Sequence, residues 1–189
     1  MTKFNMGSGL NRKAGYVNVD AAPESEPDEV FDLETTPWPW ADNCAEEVRF
    51  NHSLEHMGGD PKVFLAIMKE LYRICAPDAV VVVNVPDPRH DNFITDPTHV
   101  RPITPHVLGL FDRQANEAWR ASGAANTPLA LYTGVDFKVE SYAAVLSEPY
   151  KSRYTAGQLK DEELNHLVRS ANNVIEEWRI KLVARKPRA

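Results

Sequence analysis

The sequence has little cysteine, no long apolar run and no excess of basic charge. Cys44 and Cys75 are its only thiols, too few for a disulfide framework, so a reducing, cytoplasmic setting is expected. The longest convincing apolar run, residues 79–83, stops at Asn84, far short of a membrane span. Met1-Thr2-Lys3-Phe4-Asn5 lacks the apolar stretch of a secretory signal. Lys and Arg total 21 against 27 Asp and Glu, a net charge of −6. That balance argues against one large phosphate-docking face, so a nucleic-acid partner is not favoured. With 189 residues, 43% hydrophobic and 25% charged, the chain is expected to fold as a single domain, residues 1–189.

Short apolar segments then alternate with punctuation. Residues 3–6, 16–20, 29–33 and 45–51 read as strands. Asp60-Pro61 opens a helix, with Asp as cap and Pro at its first position. Phe64, Ile67, Met68, Leu71, Tyr72 and Cys75 form one apolar stripe, and Pro77 marks the end. Residues 79–85 are nearly all valine, as in a strand buried on both faces. A helix over 106–119, a strand over 137–147, a helix over 161–172 and a final strand over 175–184 follow. The alternation predicts an α/β fold: a Rossmann-like three-layer sandwich on a mainly parallel sheet. Ligands of such sheets bind at the carboxyl ends of the strands.

Gly7-Ser8-Gly9 follows the first strand and suits either a ligand pressed against backbone or a plain tight turn. Asp20 ends the second strand, where a carboxylate can accept from both hydroxyls of a ribose or stand solvated. Position 12 is Arg, a full helix does not fit between Gly9 and Tyr16, and the acid comes early for a dinucleotide site. Pyrophosphate binding is therefore disfavoured, while a nucleoside without phosphate fits.

Asn5-Met6-Gly7-Ser8-Gly9, Gly15-Tyr16-Val17-Asn18-Val19-Asp20, Asp32-Leu33, Pro37-Trp38-Pro39-Trp40-Ala41-Asp42-Asn43 and Asn51-His52-Ser53-Leu54-Glu55-His56 occur in that order. So ordered, they resemble the class I S-adenosylmethionine-dependent methyltransferases, closest to the small type 11-like methyltransferase-domain proteins of bacteria and phages. Glu70-Leu71-Tyr72-Arg73 followed by Pro77 fits the helix that precedes the fifth strand in that family. The resemblance implies seven strands with an antiparallel final one, and S-adenosylmethionine as cofactor. It implies Met6, Gly7, Ser8 and Gly9 at the methionine moiety, Asp20 at the ribose, and Asp32 and Leu33 beside the adenine. Asn51, His52 and Ser53 would line the cofactor near the sulfonium. The departures are a first crossover helix reduced to a loop over 10–14, Asn5 where an acid is often seen, and Pro77-Asp78-Ala79 where Pro-Gly-Gly is usual.

Residues 86–128 are expected to form an acceptor-side insertion or lid. Within it His90, Asp91 and His99 are candidate catalytic bases, and Arg101 suits an anionic acceptor. The alternative is a proline-stiffened loop whose Asp and His cap turns. A metal held by His90, Asp91, Asp96 and His99 lacks a recognised ligand spacing, so none is assigned. Glu55 and His56 read as holding the turn before Met57-Gly58-Gly59, not as catalytic. Trp38 and Trp40 read as core-covering aromatics, Tyr150, Lys151, Arg153 and Tyr154 as a solvated or phosphate-meeting patch, and Lys181, Arg185, Lys186 and Arg188 as edge and tail charges. The expected activity is methyl transfer to a small or unidentified acceptor, by a monomer or homodimer. The alternatives are a non-catalytic cofactor-binding or scaffold protein and, on fold analogy alone, a nucleotide-dependent oxidoreductase.

Overall fold

The computed structural model describes residues 1–187. Arg188 therefore lies outside the described residues. The strands are β1 (Thr2–Met6), β2 (Val17–Asp20), β3 (Glu29–Val30), β4 (Ala45–Asn51), β5 (Cys75–Pro86), β6 (Phe137–Leu146) and β7 (Ile175–Ala184). The helices are α1 (Pro61–Ile74), α2 (Asp91–Ile94), α3 (Pro105–Gly109), α4 (Arg113–Ser122), α5 (Leu129–Thr133), α6 (Tyr150–Thr155) and α7 (Asp161–Ser170). The strands form the expected seven-stranded sheet, in the order β3-β2-β1-β4-β5-β7-β6. β1 pairs parallel with β2 and β4, and β4 with β5, while β7 runs antiparallel between β5 and β6.

Register sorts the side chains. Phe4, Val48, Val81 and Leu182 stand side by side across four strands, as do Met6, Phe50, Val83 and Ile180, and all eight are buried. α1 lays Phe64, Ile67, Met68, Leu71 and Ile74 onto this core, and α3 adds Leu108. The Asp60 carboxylate accepts from the Lys62 N–H at 2.8 Å, so the expected cap starts α1.

The other face carries Lys3, Glu47 and Val80 in one row and Asn5, Arg49 and Val82 in the next. Val80 and Val82 are only half-buried, so β5 is enclosed on one face rather than on both. The reason lies in the shortened crossovers. The 10–16 segment is a loop, and the link to β3 holds only a three-residue 3₁₀ turn, Pro23–Ser25. Polar bonds fasten these loops where a helix would pack. Asn18 accepts from Asn5 Nδ2 at 2.9 Å and from the Lys13 N–H at 2.7 Å, and its own Nδ2 donates 2.7 Å to Asp28. Ion pairs Lys3–Glu46, Arg49–Glu47 and Lys181–Glu140 keep the rest of this face wetted.

Several boundaries move. The strand expected over 29–33 ends at Val30, because Leu33 turns into the core and its carbonyl accepts from Trp38 Nε1 at 2.9 Å. β5 begins at Cys75, taking in Pro77 where its register against β4 slips. The single helix expected over 106–119 is two, α3 and α4. Asp112 restarts it by accepting from the Ala115 N–H at 3.1 Å. Ile103, Leu108 and Phe111 are fully buried, which makes 103–111 part of the core. Only the stretch before it borders the site. Trp38 is buried as expected, with Trp40 against Phe4 and Phe31. Among the described residues, Arg185 and Lys186 are clasps rather than free tail charges. Arg185 pairs with Asp112 and Asp136, and Lys186 Nζ donates to the carbonyls of Arg73 and Cys75.

The 31–44 connection is tied to α1 at Glu70. Its carboxylate accepts from the Trp38 N–H at 2.6 Å and from Arg73 Nη2 at 2.8 Å, and Arg73 Nη2 also reaches the Trp38 carbonyl at 3.0 Å. The Arg73 bonds, with the Trp38 N–H, hold this carboxyl below the usual glutamate range. Its contribution to stability is therefore present above that range and lost as pH falls through the lowered value. Glu70→Gln should cost about 1–3 kcal/mol at neutral pH, and the difference from wild type should close on acidification below about pH 4. Urea unfolding at several pH values measures both.

Candidate functional site

The carboxyl ends of β1, β2 and β4 meet at one edge of the sheet. The Ser8 N–H donates to the Val19 carbonyl at 3.0 Å, and the Gly9 N–H to Asp20 Oδ2 at 2.7 Å. Asp20 Oδ1 accepts from the Ala22 N–H at 2.9 Å. The Asp20 carboxylate is thus aimed by two backbone donors. Ser53, just past β4, donates its hydroxyl to the Met6 carbonyl at 2.7 Å. Gly7 has φ +64°, and a Cβ there would stand 2.5 Å from Ser53 Cβ. No side chain fits between the two strand ends. Gly9 has φ +46° and open space around it.

These residues line a cavity of about 380 Å³. Gly7, Gly9, Asp20, Asp32, Leu33, His52 and Ser53 reach it, joined by Ala21, Phe31, Glu34, His56 and Met57. Three expected residues do not line it. The Met6 side chain is fully buried in the core and only its carbonyl takes part, holding Ser53. Ser8 is buried, with its hydroxyl unbonded among the described residues. Asn51 accepts from Asn84 Nδ2 at 3.0 Å, beyond the cavity wall.

His52 stands between this cavity and a second one of about 540 Å³, and His56 lines both. His52 sits at φ +52°, a conformation uncommon for a residue with a Cβ. Its N–H donates to the Asn84 carbonyl at 2.8 Å and its Nε2 lies 2.7 Å from Glu177 Oε2. Glu55, 3.7 Å from its Nδ1, raises this imidazole above its ordinary value with help from Glu177 and against burial. The second cavity is walled by Glu55, Asp96, Glu176 and Glu177, by Arg179, and by Asn92 and His99.

Of the expected bases, His99 alone reaches this wall. Its ring stacks on Phe93, and the His56 ring is 4.5 Å away. His90 instead caps α2, its Nδ1 accepting from the Asn92 N–H at 3.0 Å. Asp91 is exposed, its N–H held by Asn173. Neither lines the cavity. The Arg101 guanidinium donates to the Gly58 carbonyl and covers the Phe64 ring, so it braces the turn rather than facing an acceptor. In the 150–154 patch, Tyr154 bonds Asp161 and Arg153 pairs with Glu163. The residues that sequence reasoning passed over are Glu55 and His56. The Glu55 carbonyl does hold a turn, accepting from the N–H groups of Val100 and Arg101 at 3.0 and 2.9 Å. The side chains, however, face the cavity. The signal was the His52-x-x-Glu55-His56 spacing, which places three ionisable groups on one short turn directly after a strand.

No family model matches the sequence, and no curated protein does. The structure, in contrast, is similar to many solved ones. A SAM-dependent methyltransferase from Archaeoglobus fulgidus superposes with a TM-score of 0.61 at 18% identity, over 96% of this chain and 85% of that one. The fold is that of the S-adenosylmethionine-dependent methyltransferases. A SAM-dependent methyltransferase from Methanosarcina mazei gives 0.57 at 12% identity, over 98% and 93% of the two chains. A 16S rRNA (adenine(1408)-N(1))-methyltransferase from Catenulisporales acidiphilia, solved with cosubstrate SAM, gives 0.52 at 16% identity, over 100% and 87%. Among the described residues no helix is long and apolar enough to cross a membrane.

The two glycines separate packing from conformation. Gly7→Ala should lose about 2–4 kcal/mol, adding a clash to left-handed strain. Gly9→Ala should lose only about 1–2 kcal/mol, from strain alone. Thermal denaturation of the two variants checks the order.

Proposed function

We propose that the protein transfers a methyl group from S-adenosylmethionine to an acceptor held in the second cavity. The observation that carries this reading is the pair of adjoining cavities, one built on the glycine turn and Asp20, the other on His52, His56 and His99. The cofactor fits the first cavity by its chemistry. A Cβ at position 7 would fill the cradle, so backbone alone lies there, open to a methionine moiety. The Asp20 carboxylate, oriented by Gly9 and Ala22, accepts from ribose hydroxyls. Phe31, Asp32 and Leu33 border the adenine. When bound, the cofactor supplies a methyl group activated on a sulfonium.

The protein's own work is alignment and charge placement. His52, between the cavities and held by Glu177, sets the direction from which the acceptor approaches. With no ion bound beside them, His56 or His99 takes the acceptor's proton where it carries one. His90 and Asp91, which cap and flank α2, have no such part. The acidic wall of the second cavity does not suit a nucleic-acid backbone and supports a small-molecule acceptor. Residues 86–101 form the acceptor side. The free thiols Cys44 and Cys75 support a cytoplasmic setting. The reading takes the protein as one domain, working as a monomer or homodimer.

Calorimetry with S-adenosylhomocysteine tests it. Wild type should bind stoichiometrically. Asp20→Ala should weaken binding by about 10–100-fold, the worth of hydrogen bonds to a charged group, with the fold retained by circular dichroism. Absence of binding by wild type at millimolar ligand overturns the proposal.

A further inference from the structure

We propose that Glu55, His56 and His99 form a binding site for a first-row divalent cation, zinc foremost. One ligand atom from each lies within 4.8 Å of the others. The three come from two segments, the turn after β4 and the loop after α2. The Glu55 carbonyl draws them together by accepting from Val100 and Arg101.

Glu55 is the first sign that something belongs there. It is fully buried, yet neither carboxylate oxygen has a hydrogen-bond partner among the described residues. A buried carboxylate without hydrogen bonds is costly and rare. Its neighbours do not relieve this: His52 Nδ1 stands 3.7 Å and His99 Nε2 4.0 Å from Oε1, beyond hydrogen-bond length. A cation between Glu55 and the imidazoles supplies the missing partner.

Proton placement on the rings gives the second sign. His99 Nδ1 lies 2.9 Å from the Phe93 carbonyl, which can only accept, so Nδ1 carries a proton and, in the neutral ring that a metal requires, Nε2 presents its lone pair. His56 Nδ1 lies 2.9 Å from Thr98 Oγ1. That hydroxyl spends its single proton on Asp96 Oδ1 at 2.6 Å, so it accepts from His56, and His56 Nε2 also presents a lone pair. Each ring is thus anchored through Nδ1–H and free at Nε2, as in metal-bound histidines, whose second nitrogen donates to a carbonyl or a carboxylate-linked group.

Two imidazole nitrogens and one carboxylate suit zinc and its first-row neighbours, whereas magnesium and calcium take oxygen ligands. Metal–ligand bonds of about 2.0–2.2 Å require the three atoms to close inward by rotation of their side chains. Asp96, Glu176 and Glu177 line the same cavity and draw cations to it. The open side of the ion faces this cavity, where water or a hydroxyl-bearing molecule would complete the shell. The site uses Glu55 and His56 in place of His90 and Asp91, which the loop turns away from His99. Its occupancy does not depend on the methyl-transfer reading.

The test is titration of the full chain, first stripped with a chelator, with Zn²⁺ and Co²⁺. Calorimetry should show one Zn²⁺ per chain at micromolar affinity or better, and Co²⁺ should give the visible absorption of a nitrogen- and oxygen-ligated ion. His56→Ala and His99→Ala should each lower zinc affinity by more than about 100-fold, exceeding the loss when only a partner of a ligand is removed. His166→Ala, at an exposed position on α7, should bind as wild type does. Melting curves report folding; if His99→Ala does not fold, the half-exposed His56 decides the matter. Absence of stoichiometric zinc binding by wild type, or undiminished binding by a folded His56→Ala protein, overturns the proposal.

Discussion

Ser53 Oγ donates to the Met6 carbonyl across 2.7 Å at a place closed to solvent. The bond joins the last residue of β1 to the turn after β4, from which His52 and His56 line both cavities. It brings Ser53 so close to position 7 that only hydrogen fits there, which leaves bare backbone at the rim of the first cavity. It also fixes where the chain goes after β4. His52 is bent into a left-handed conformation, and Leu54 enters the core while Glu55 and His56 follow on the same turn. Parallel pairing of β1 with β4 supplies the frame, because it brings their carboxyl ends to one edge.

The sheet is unevenly covered. One face is sealed by α1 and α3 over aromatic and aliphatic rows. The other keeps rows of lysine, glutamate, arginine and asparagine under short loops. Hydrogen bonds of Asn5 and Asn18 to those loops do locally what an amphipathic helix does over a larger area. Deep burial of Asn5 and Asn18 is tolerable because each is satisfied. This lets short loops, in place of a crossover helix, position the glycine turn and Asp20.

Charge is distributed with the same economy. Among the described residues near the C-terminus, Arg185 is clasped by Asp112 and Asp136, and Lys186 by backbone carbonyls behind α1. Acids gather instead around the second cavity. The acids of the second cavity are thus grouped apart from the basic clasps.

Much of the fold was legible in the chain: the glycine turn, the Asp60-Pro61 start of α1, the alternating final strand and, by resemblance, a seven-stranded sheet with an antiparallel final strand. The first three are local, set by backbone geometry and by periods of two and 3.6 residues. Asp20, Asp32 and Leu33 were readable as cavity residues because they end or follow strands. What the tertiary structure decided is pairing over distance. Whether Met6 faces ligand or core depends on sheet register, and Met6 proved to be core. The choice between His90 and His99 depended on which way a proline-rich loop turned over Glu55. Their surroundings also come from afar, Asn173 holding Asp91 and the Glu55 carbonyl holding Val100 and Arg101. A contact between residues 55 and 99 leaves no periodic trace in sequence. Only the folded chain brings a buried carboxylate and two imidazoles together.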